Sequence, residues 1–272
     1  MDSSTILIIG GTSGLGEGFA RRFYALGKRV IITGRRQSRL DTLAKEMKGL
    51  ETYQWDVVNL ADLGKHASKV LKQYPDIDTI VMMAGKMESF SFFNPAESND
   101  SMITSEINTN LTAPIILSRT FVPFLASLAS EGKTANLIFV TSGLAYIPLG
   151  FYPVYCPTKT GIHYFALTLR QQLNYAPEVV KKNLSICELS PPYVDTALDA
   201  GFRDKVNATL GDRAPPPMPL EEYLDLAMKG LSEKGPEGKM LKEVTVPGFS
   251  ELGVTAWRGS LGKILEGMGV DC

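Results

Sequence analysis

Short, uniformly apolar runs alternate along the chain with longer segments whose apolar residues recur at helical spacing. The runs predict strands at 5–9, 30–33, 52–55, 79–83, 136–141 and 184–189, with a short further strand at 243–246. The longer segments predict helices at 15–26, 40–47, 60–74, 101–129, 154–175 and 220–231. Strands without polar alternation are buried on both faces, which indicates a parallel sheet with right-handed crossovers and helices on each side. The predicted fold class is therefore α/β, a Rossmann-type doubly wound parallel sheet.

The chain shows no internal repeat, low-complexity tract or linker that would divide it. Its richest proline segment, 214–219, falls between the last long strand and the last predicted helix, and we interpret it as a surface loop. The residues beyond it are too few to bury a separate core comfortably. We therefore predict a single domain over residues 1–272.

The composition argues against two classes of partner. Of the 272 residues, 44% are hydrophobic and 21% are charged, as in ordinary folded proteins. Lysine and arginine number 28 and aspartate and glutamate 29, which gives a formal net charge of −1. A chain with so little net charge has no global field to hold a nucleic acid or an anionic membrane.

The cysteines and histidines indicate metal-free chemistry in a reducing compartment. Cys156, Cys187 and Cys272 are odd in number and widely spaced, so neither a disulfide framework nor a thiolate metal site is predicted. His66 and His163 form no cluster with metal-ligand spacing.

Neither an export signal nor a membrane span is predicted. The first residues lack the basic start and the apolar length of a signal peptide. The most apolar stretch, 113–129, contains Arg119 and two prolines and falls short of the roughly 20 apolar residues of a spanning helix. We expect a cytoplasmic protein.

A glycine-rich segment connects the first predicted strand with the first predicted helix. It reads Gly10-Gly11-Thr12-Ser13-Gly14-Leu15-Gly16. Glycines allow a tight turn and a close approach to a pyrophosphate, and the free amides and dipole at the helix start attract its charge. Glycine-rich turns are common between strands and helices. A strand, glycines, a helix and a second strand in this order nevertheless favour a dinucleotide site.

The residues after the second predicted strand indicate which dinucleotide would bind. An NAD site carries a carboxylate here for the adenosine ribose 2′-hydroxyl, but this chain has Gly34, followed by Arg35 and Arg36. Arginine can pair with a 2′-phosphate, and two arginines at a helix start are easier to explain with an anion present. The sequence therefore favours NADP(H). Asp56, after the third strand, could reach the adenine edge or cap a turn, and we predict the adenine contact.

Tyr155 and Lys159 lie four residues apart in a predicted helix, and hence on one face of it. A free tyrosine has a pKa near about 10, and a nearby positive charge lowers it toward the working range of a general acid or base. Alone, the pair would favour a solvated helix surface. Ser142, however, follows the fifth predicted strand, at the sheet edge where open α/β proteins bind ligands.

The glycine segment, Asn110, Ser142, Tyr155 and Lys159 stand in the order and spacing of the short-chain dehydrogenase/reductase family, which the chain resembles from residue 5 to about residue 231. The resemblance implies hydride transfer between a nicotinamide and a carbonyl or alcohol carbon. Tyr155 would be the general acid in reduction, and Ser142 would bind the substrate oxygen. The same resemblance implies that Lys159 holds the nicotinamide ribose and lowers the pKa of Tyr155, while Asn110 keeps a water in the proton relay.

The resemblance also implies a set of cofactor contacts on the glycine segment and after the strands. They are Gly10, Thr12, Ser13, Gly14, Leu15, Gly16, Arg35, Arg36, Asp56, Val57, Ala84, Gly85, Tyr155, Lys159, Pro191, Val194 and Thr196. The chain departs from the family pattern where Ile9 replaces a threonine, Met82-Met83 replace two asparagines and Pro192 replaces a glycine. These changes bear on cofactor affinity and loop stiffness rather than on proton chemistry.

By the same resemblance the substrate pocket lies beside Gly85, after Ser142 and under a substrate loop at about 192–219. These segments carry few charges and many apolar side chains, namely Met87, Phe90, Phe92, Phe93, Leu144, Tyr146, Phe151, Tyr152, Tyr193 and Phe202. An apolar or aromatic carbonyl compound is therefore the predicted substrate. Reduction of a C=N bond, a non-redox biosynthetic step and a catalytically silent NADP-sensing protein are the alternatives.

Family members commonly pair through the helices that hold the catalytic asparagine and tyrosine, so the resemblance implies a homodimer or homotetramer. The apolar stretch 115–128 would suit such an interface. A C-terminal extension at about 247–272 matches no part of the family pattern. It could close over the substrate or mediate assembly.

Overall fold

The computed structural model describes residues 3–235 and 238–269, and its strands build a single sheet. The strands are β1 (Thr5–Ile9), β2 (Arg29–Gly34), β3 (Glu51–Gln54), β4 (Thr79–Met82), β5 (Ala135–Val140), β6 (Leu184–Leu189) and β7 (Glu243–Val244). They pair in parallel in the order β3-β2-β1-β4-β5-β6-β7. The order reverses between β1 and β4, and ligands bind in the crevice at the carboxyl ends of strands that flank such a switch point.

Helices cover both faces of the sheet. They are α1 (Gly14–Ala25), α2 (Gln37–Glu46), α3 (Leu63–Gln73), α4 (Asp100–Ile107), α5 (Ala113–Ser130), α6 (Tyr155–Leu173), α7 (Glu178–Asn183), α8 (Arg203–Leu210), α9 (Leu220–Ser232), α10 (Phe249–Trp257) and α11 (Lys263–Gly267). A π-helical turn at 108–112 joins α4 to α5, and another at 258–262 joins α10 to α11. The predicted α/β class with a doubly wound parallel sheet is confirmed.

The core lies in two layers, one on each face of the sheet. Leu7 and Ile9 of β1 pack in the layer that includes α3, α5 and α6. Ile6 and Ile8 pack in the layer that includes α1, α2 and α9. All five residues of β1 are buried, because successive side chains point to opposite, equally covered faces. This double coverage explains why the strand segments are uniformly apolar.

Each predicted helix and strand is present, with ends shifted by a few residues. The predicted long helix 101–129 is divided into α4 and α5 by the π-helical turn. Helices α7, α8, α10 and α11 were not predicted. Each is short, and short helices are stabilised by tertiary packing more than by their own sequence.

The helical run 100–130 is long and apolar enough to cross a membrane, as judged by length and composition among the described residues. It packs on the sheet through Leu117, Phe121 and Leu125, each at most 1% exposed. In its most apolar window 33% of the residues are buried. One face of the run therefore lies in the core, and a second face, marked by Ile115, remains exposed. The prediction that this stretch falls short of a spanning helix is not borne out by the length and composition of the helix.

Candidate active site

The glycine segment forms a tight turn between β1 and α1. Gly10 (φ 95°) and Gly14 (φ 52°) lie in the left-handed region that favours glycine. The amides of Gly10 and Gly11 donate to the Thr33 carbonyl oxygen at 3.2 and 3.0 Å, which ties the turn to β2. A Cβ at Gly16 would lie 2.1 Å from the Gly10 oxygen, so only glycine allows this approach of α1 to the turn.

The turn lies next to two segments that were predicted to hold the cofactor. A Cβ at Gly14 would lie 3.5 Å from the Thr196 Cβ, and a Cβ at Gly10 would lie 2.7 Å from the Ala84 Cα. Ser13 is exposed at the start of α1, and its side chain makes no capping hydrogen bond. The first turn of α1 thus offers amides and a hydroxyl to a phosphate, and the residues present fit a dinucleotide.

The end of β2 explains why no acid stands at position 34. A Cβ at Gly34 would lie 2.4 Å from the Thr12 Cγ2. Thr12 therefore occupies the space that the first side-chain atom of an aspartate or glutamate at this position would need. Arg35 and Arg36 follow with exposed side chains, and α2 begins directly after Arg36. Both arginines therefore lie at the end of β2, as the sequence predicts.

Arg39 is a further cation beside the glycine turn, and it was not predicted from the sequence. Its Nε donates to the Thr12 carbonyl oxygen at 3.4 Å, and its guanidinium also donates to the Glu17 carboxylate. Arg39 lies three residues after Arg36, one turn along α2, and this spacing could have indicated a third cation near the predicted phosphate site.

Three predicted cofactor contacts have structural partners of their own. Asp56 Oδ1 accepts from the Val58 amide at 3.1 Å, so Asp56 caps a turn, and the predicted adenine contact would compete with that bond. Val57 and Leu15 each pack against the apolar core. Val57 and Leu15 can therefore contact a cofactor only through their backbone and the part of each side chain that is not buried.

Asn110, Ser142, Tyr155 and Lys159 come together at the carboxyl edge of the sheet, and each is at most 8% exposed. Ser142 follows β5 with extended backbone, and its Oγ accepts from the Leu144 amide at 3.2 Å. Tyr155 is the first residue of α6, and the Ser142 side chain is close enough to the phenol to lower its pKa. The structure therefore assembles the predicted catalytic group.

Lys159 lies one helical turn after Tyr155. Its Nζ donates to the Val140 carbonyl oxygen at 2.8 Å and lies 5.5 Å from the centroid of the Tyr155 ring.

Burial lowers the pKa of Lys159 to about 8, against the opposing effect of the Glu106 carboxyl. Burial raises the pKa of Tyr155, against the lowering effect of its hydrogen bond with Ser142. In the protein alone the pKa of Tyr155 is therefore raised, contrary to the prediction, because desolvation of the phenolate outweighs the other effects.

Asn110 is held in the π-helical turn, a feature that is frequent at functional sites. Its Oδ1 accepts from the Lys86 amide at 2.8 Å, and its Nδ2 donates to the Lys86 carbonyl oxygen at 2.8 Å and to Thr158 Oγ1 at 3.1 Å. A Cβ at Gly85 would lie 3.8 Å from both the Asn110 Oδ1 and the Lys159 Nζ. The backbone after β4 therefore lies beside both groups.

The segment after β6 supports the turn that contains Ser142. The Gly143 amide donates to the Pro191 carbonyl oxygen at 3.0 Å. Val194 is buried and forms an isolated parallel bridge with Met218, which connects the two ends of the predicted substrate loop. Pro191 and Val194 thus fix the loop that carries the predicted nicotinamide contacts.

A cleft of about 390 Å³ lies between the loop 89–97, the segment 150–151 and α8. Apolar side chains on its walls include Phe90, Phe151 and Val206. Lys205 Nζ and Glu97 Oε1, which both line the cleft, form an ion pair at 2.8 Å. This ion pair was not predicted from the sequence.

Five of the predicted pocket side chains lie at the cleft or contact its wall, and two others do not. Ring contacts extend the aromatic wall of the cleft, namely Phe90 with Phe92, Phe151 with Tyr152, and Tyr152 with Phe202. Phe93, in contrast, is fully exposed. Tyr146 points elsewhere, since its hydroxyl lies 3.1 Å from His163 Nδ1. The predicted pocket role of Phe93 and Tyr146 is not supported by these positions.

The C-terminal extension packs behind Ser142, the predicted catalytic serine. A Cβ at Gly143 would lie 2.6 Å from Ser250 Oγ, and a Cβ at Gly253 would lie 2.8 Å from Tyr146 Cβ. Helix α10 is therefore in direct contact with the turn that follows Ser142. The end of the predicted extension, 270–272, which contains Cys272, lies outside the described residues.

The sequence model of the short chain dehydrogenase family matches residues 4–207. The chain therefore belongs to the short-chain dehydrogenase/reductase family and is an oxidoreductase of that family. It is 36% identical over 233 residues, 86% of each chain, to the uncharacterized oxidoreductase DltE of Bacillus subtilis. It is 32% identical over 170 residues, 62% of this chain and 66% of the relative, to the NADP-dependent 3-hydroxy acid dehydrogenase YdfG of Salmonella typhi.

Solved structures confirm the fold. A short-chain dehydrogenase from Sphingobium yanoikuyae in complex with NADPH superposes with a TM-score of 0.74 at 24% identity, over 99% of this chain and 96% of that one. The bulky-bulky ketone specific alcohol dehydrogenase from Comamonas testosteroni superposes with a TM-score of 0.72 at 22% identity, over 100% of this chain and 96% of that one.

Proposed function

We propose that the protein is an NADP(H)-dependent reductase that transfers hydride to the carbonyl carbon of an apolar or aromatic small molecule, and that catalyses the reverse oxidation. The observation that carries the proposal is the buried group of Asn110, Ser142, Tyr155 and Lys159 beside a glycine turn that fits a dinucleotide. A proton donor such as Tyr155 beside a nucleotide site can protonate a substrate oxygen in a reductase. A protein that only senses NADP has no need of such a donor.

The chain's own residues supply the proton chemistry, and the bound nicotinamide would supply the hydride. Ser142 and Tyr155 place two hydroxyls together, and both can donate to a substrate oxygen as negative charge develops on it. Burial keeps the phenol of Tyr155 protonated until that oxygen takes the proton. The Lys159 ammonium is held by the Val140 carbonyl oxygen and lies 5.5 Å from the centroid of the Tyr155 ring, where its charge can stabilise the phenolate that results.

The preference for NADP(H) rests on the end of β2. Thr12 fills the space beside Gly34, and Arg35 and Arg36 are exposed directly after it. Guanidinium groups form strong, charge-assisted hydrogen bonds with phosphate. The relative from Salmonella typhi is named as NADP-dependent, and the neighbour from Sphingobium yanoikuyae was solved with NADPH.

The substrate class rests on the cleft, whose wall at 150–151 leads along the chain into Tyr155 at the start of α6. Its lining residues do not include Asn110, Ser142, Tyr155 or Lys159 themselves. Its walls carry Phe90, Phe151 and Val206, and its one cation among the lining residues, Lys205, is already paired with Glu97. Apolar walls with few polar groups suit an apolar or aromatic ligand. Pairing of Lys205 leaves little unbalanced charge for a strongly anionic substrate.

Assembly and location belong to the same proposal. The exposed faces of α5 and α6 carry Ile115 and Tyr164, at 36% and 49% exposure, which suits a homodimer or homotetramer formed through these helices. The free thiols of Cys156 and Cys187 are buried, as suits a protein of the reducing cytoplasm.

The test is oxidation of NADPH and of NADH by the purified protein across ketones, aldehydes, quinones and cyclic imines, followed by the loss of reduced-nicotinamide absorbance. The proposal predicts turnover of an apolar ketone or aldehyde with a lower KM for NADPH than for NADH. Turnover of imines alone, or binding of NADPH without reduction of any compound, would overturn it.

A further inference from the structure

Glu106, near the end of α4, is a fully buried carboxyl with one unpartnered oxygen. Its exposed fraction is 0%, and its Oε1 accepts from the Glu88 amide at 3.1 Å. Its Oε2 is buried and makes no hydrogen bond within the described residues. A buried carboxylate without full hydrogen bonding is costly, so such a group is retained at a functional site more readily than in a plain core.

The backbone places Glu106 beside the catalytic group. Glu106 stands four residues before Asn110, one turn earlier on the same helical run. The loop that donates to Glu106 through the Glu88 amide also holds both polar atoms of Asn110 through Lys86. Gly85, in the same loop, lies beside both Asn110 Oδ1 and Lys159 Nζ.

The charged and titratable groups around Glu106 come from two parts of the fold. Glu88 and Lys86, which pair with each other at 3.1 Å, lie on the loop after β4. Lys159 lies on α6, close enough for its charge to favour the carboxylate, and Tyr155 and Cys156 on the same helix respond to that carboxylate. Burial raises the pKa of Glu106 to about 7, so its carboxyl changes charge near neutrality. Glu106 is also the charged group that opposes the loss of the Lys159 proton.

We propose that Glu106 is a buried proton store of the active site, which holds the ammonium form of Lys159 and replaces its proton after each turnover. The proposal rests on the proposed reductase function and names a further residue for it. Glu106 acts through Lys159 and does not touch the reacting atoms.

The proton movements balance in the direction of reduction. The Tyr155 O–H bond breaks, and its proton goes to the substrate oxygen as the hydride goes to the carbon. The phenolate takes a proton from the Lys159 ammonium, and the Lys159 amine takes one, through water, from the Glu106 carboxylic acid. The Glu106 carboxylate then recovers a proton from solvent. Oxidation runs these transfers in reverse.

The test compares Glu106→Gln with the wild type, because glutamine keeps an oxygen for the Glu88 amide and loses the proton. Asp100→Asn is the matched control, since Asp100 is an exposed acid on the same helix. We expect Glu106→Gln to lower kcat about tenfold. We also expect the alkaline limb of its pH profile to move about one pH unit lower, because Lys159 loses the carboxylate that favours its ammonium form.

A second measurement needs no turnover. In protein labelled with [ε-13C]lysine, NMR follows the titration of Lys159, with Lys159→Met assigning its signal. We expect the Lys159 signal to titrate at lower pH in Glu106→Gln than in the wild type and to be unchanged in Asp100→Asn. An unchanged Lys159 titration in Glu106→Gln overturns the proposal. If the wild type reduces no carbonyl compound, the reductase function fails, and the lysine titration still decides the role of Glu106.

Discussion

Gly143, next to the proposed catalytic residue Ser142, is in direct contact with Ser250 of α10. A Cβ at Gly143 would lie 2.6 Å from the Ser250 Oγ and 3.2 Å from its Cα. The second distance involves backbone, so rotation of the Ser250 side chain would not remove the crowding. Since Ser250 is fully buried, α10 has little room to retreat. The C-terminal segment thus sets the position of the turn after Ser142.

Gly143→Ala should therefore displace this turn and the Ser142 hydroxyl with it. We expect kcat to fall about tenfold or more, because small misplacements of a reacting group are costly, while the Kd of NADPH changes less than about twofold. Steady-state kinetics and NADPH fluorescence titration measure the two quantities. Gly64→Ala on α3, where a Cβ would meet no atom within 4 Å, is the control and should keep full activity. Unchanged kcat in Gly143→Ala would show that α10 does not position Ser142.

Replacement of Arg35 and Arg36 by serine tests the basis of cofactor selection. One charge-assisted hydrogen bond to a phosphate contributes about 1.5–3 kcal/mol, so loss of both arginines should raise the KM of NADPH by about 10- to 100-fold or more. The KM of NADH, which has no 2′-phosphate, should change less than about twofold and is the internal control. Equal losses with both cofactors would mean that the arginines support the loop rather than recognise the phosphate.

The ion pair between Lys205 and Glu97 provides a test of substrate charge. The Lys205 ammonium is already paired with the Glu97 carboxylate. We therefore expect Lys205→Ala to change the KM of an uncharged apolar ketone less than about twofold. Glu97→Gln frees the ammonium and should lower the KM of a keto acid of matching shape. A large rise in KM for the uncharged ketone in Lys205→Ala would contradict the assignment of this cleft as an apolar pocket.

The raised pKa of Glu106 predicts a stability that depends on pH. Its pKa is raised by burial from 4.5 to about 7, so the folded protein binds more protons than the unfolded chain between these values. Ionising the buried carboxyl lowers the free energy of unfolding of the wild type. This loss is absent below pH 4.5, grows as the pH rises, and reaches its full size above about pH 7. Glu106→Gln should therefore gain about 3 kcal/mol of unfolding free energy relative to the wild type between pH 4.5 and 8. Urea unfolding at several pH values measures the difference, and a constant difference would refute the assignment.

Much of the fold was predictable because the strands are covered on both faces. Residues such as those of β1 must be apolar at every position when helices lie above and below them, and this pattern is visible in the sequence. No such pattern in the sequence predicts helix α10. Its position depends on the glycines Gly143 and Gly253, which are far apart along the chain and allow the segments to touch only in the folded protein.

The candidate site was predictable where a motif fixes local geometry and not where tertiary contacts decide. Tyr155 and Lys159 are one turn apart in any helix, so their relation could be deduced from spacing. Tyr146 is close in sequence to Ser142, yet its hydroxyl pairs with His163. Glu106 carries no sequence signal, because its burial depends on the loop after β4 folding over α4.

Tyr155 is proposed to deliver the proton in a hydride transfer from NADPH. Tyr155→Phe removes the hydroxyl and retains the ring in its buried position. With the apolar ketone or aldehyde that the wild type reduces best, the account predicts a loss of kcat of about 100-fold or more, with the Kd of NADPH changed less than about twofold. Full turnover in Tyr155→Phe would contradict the account.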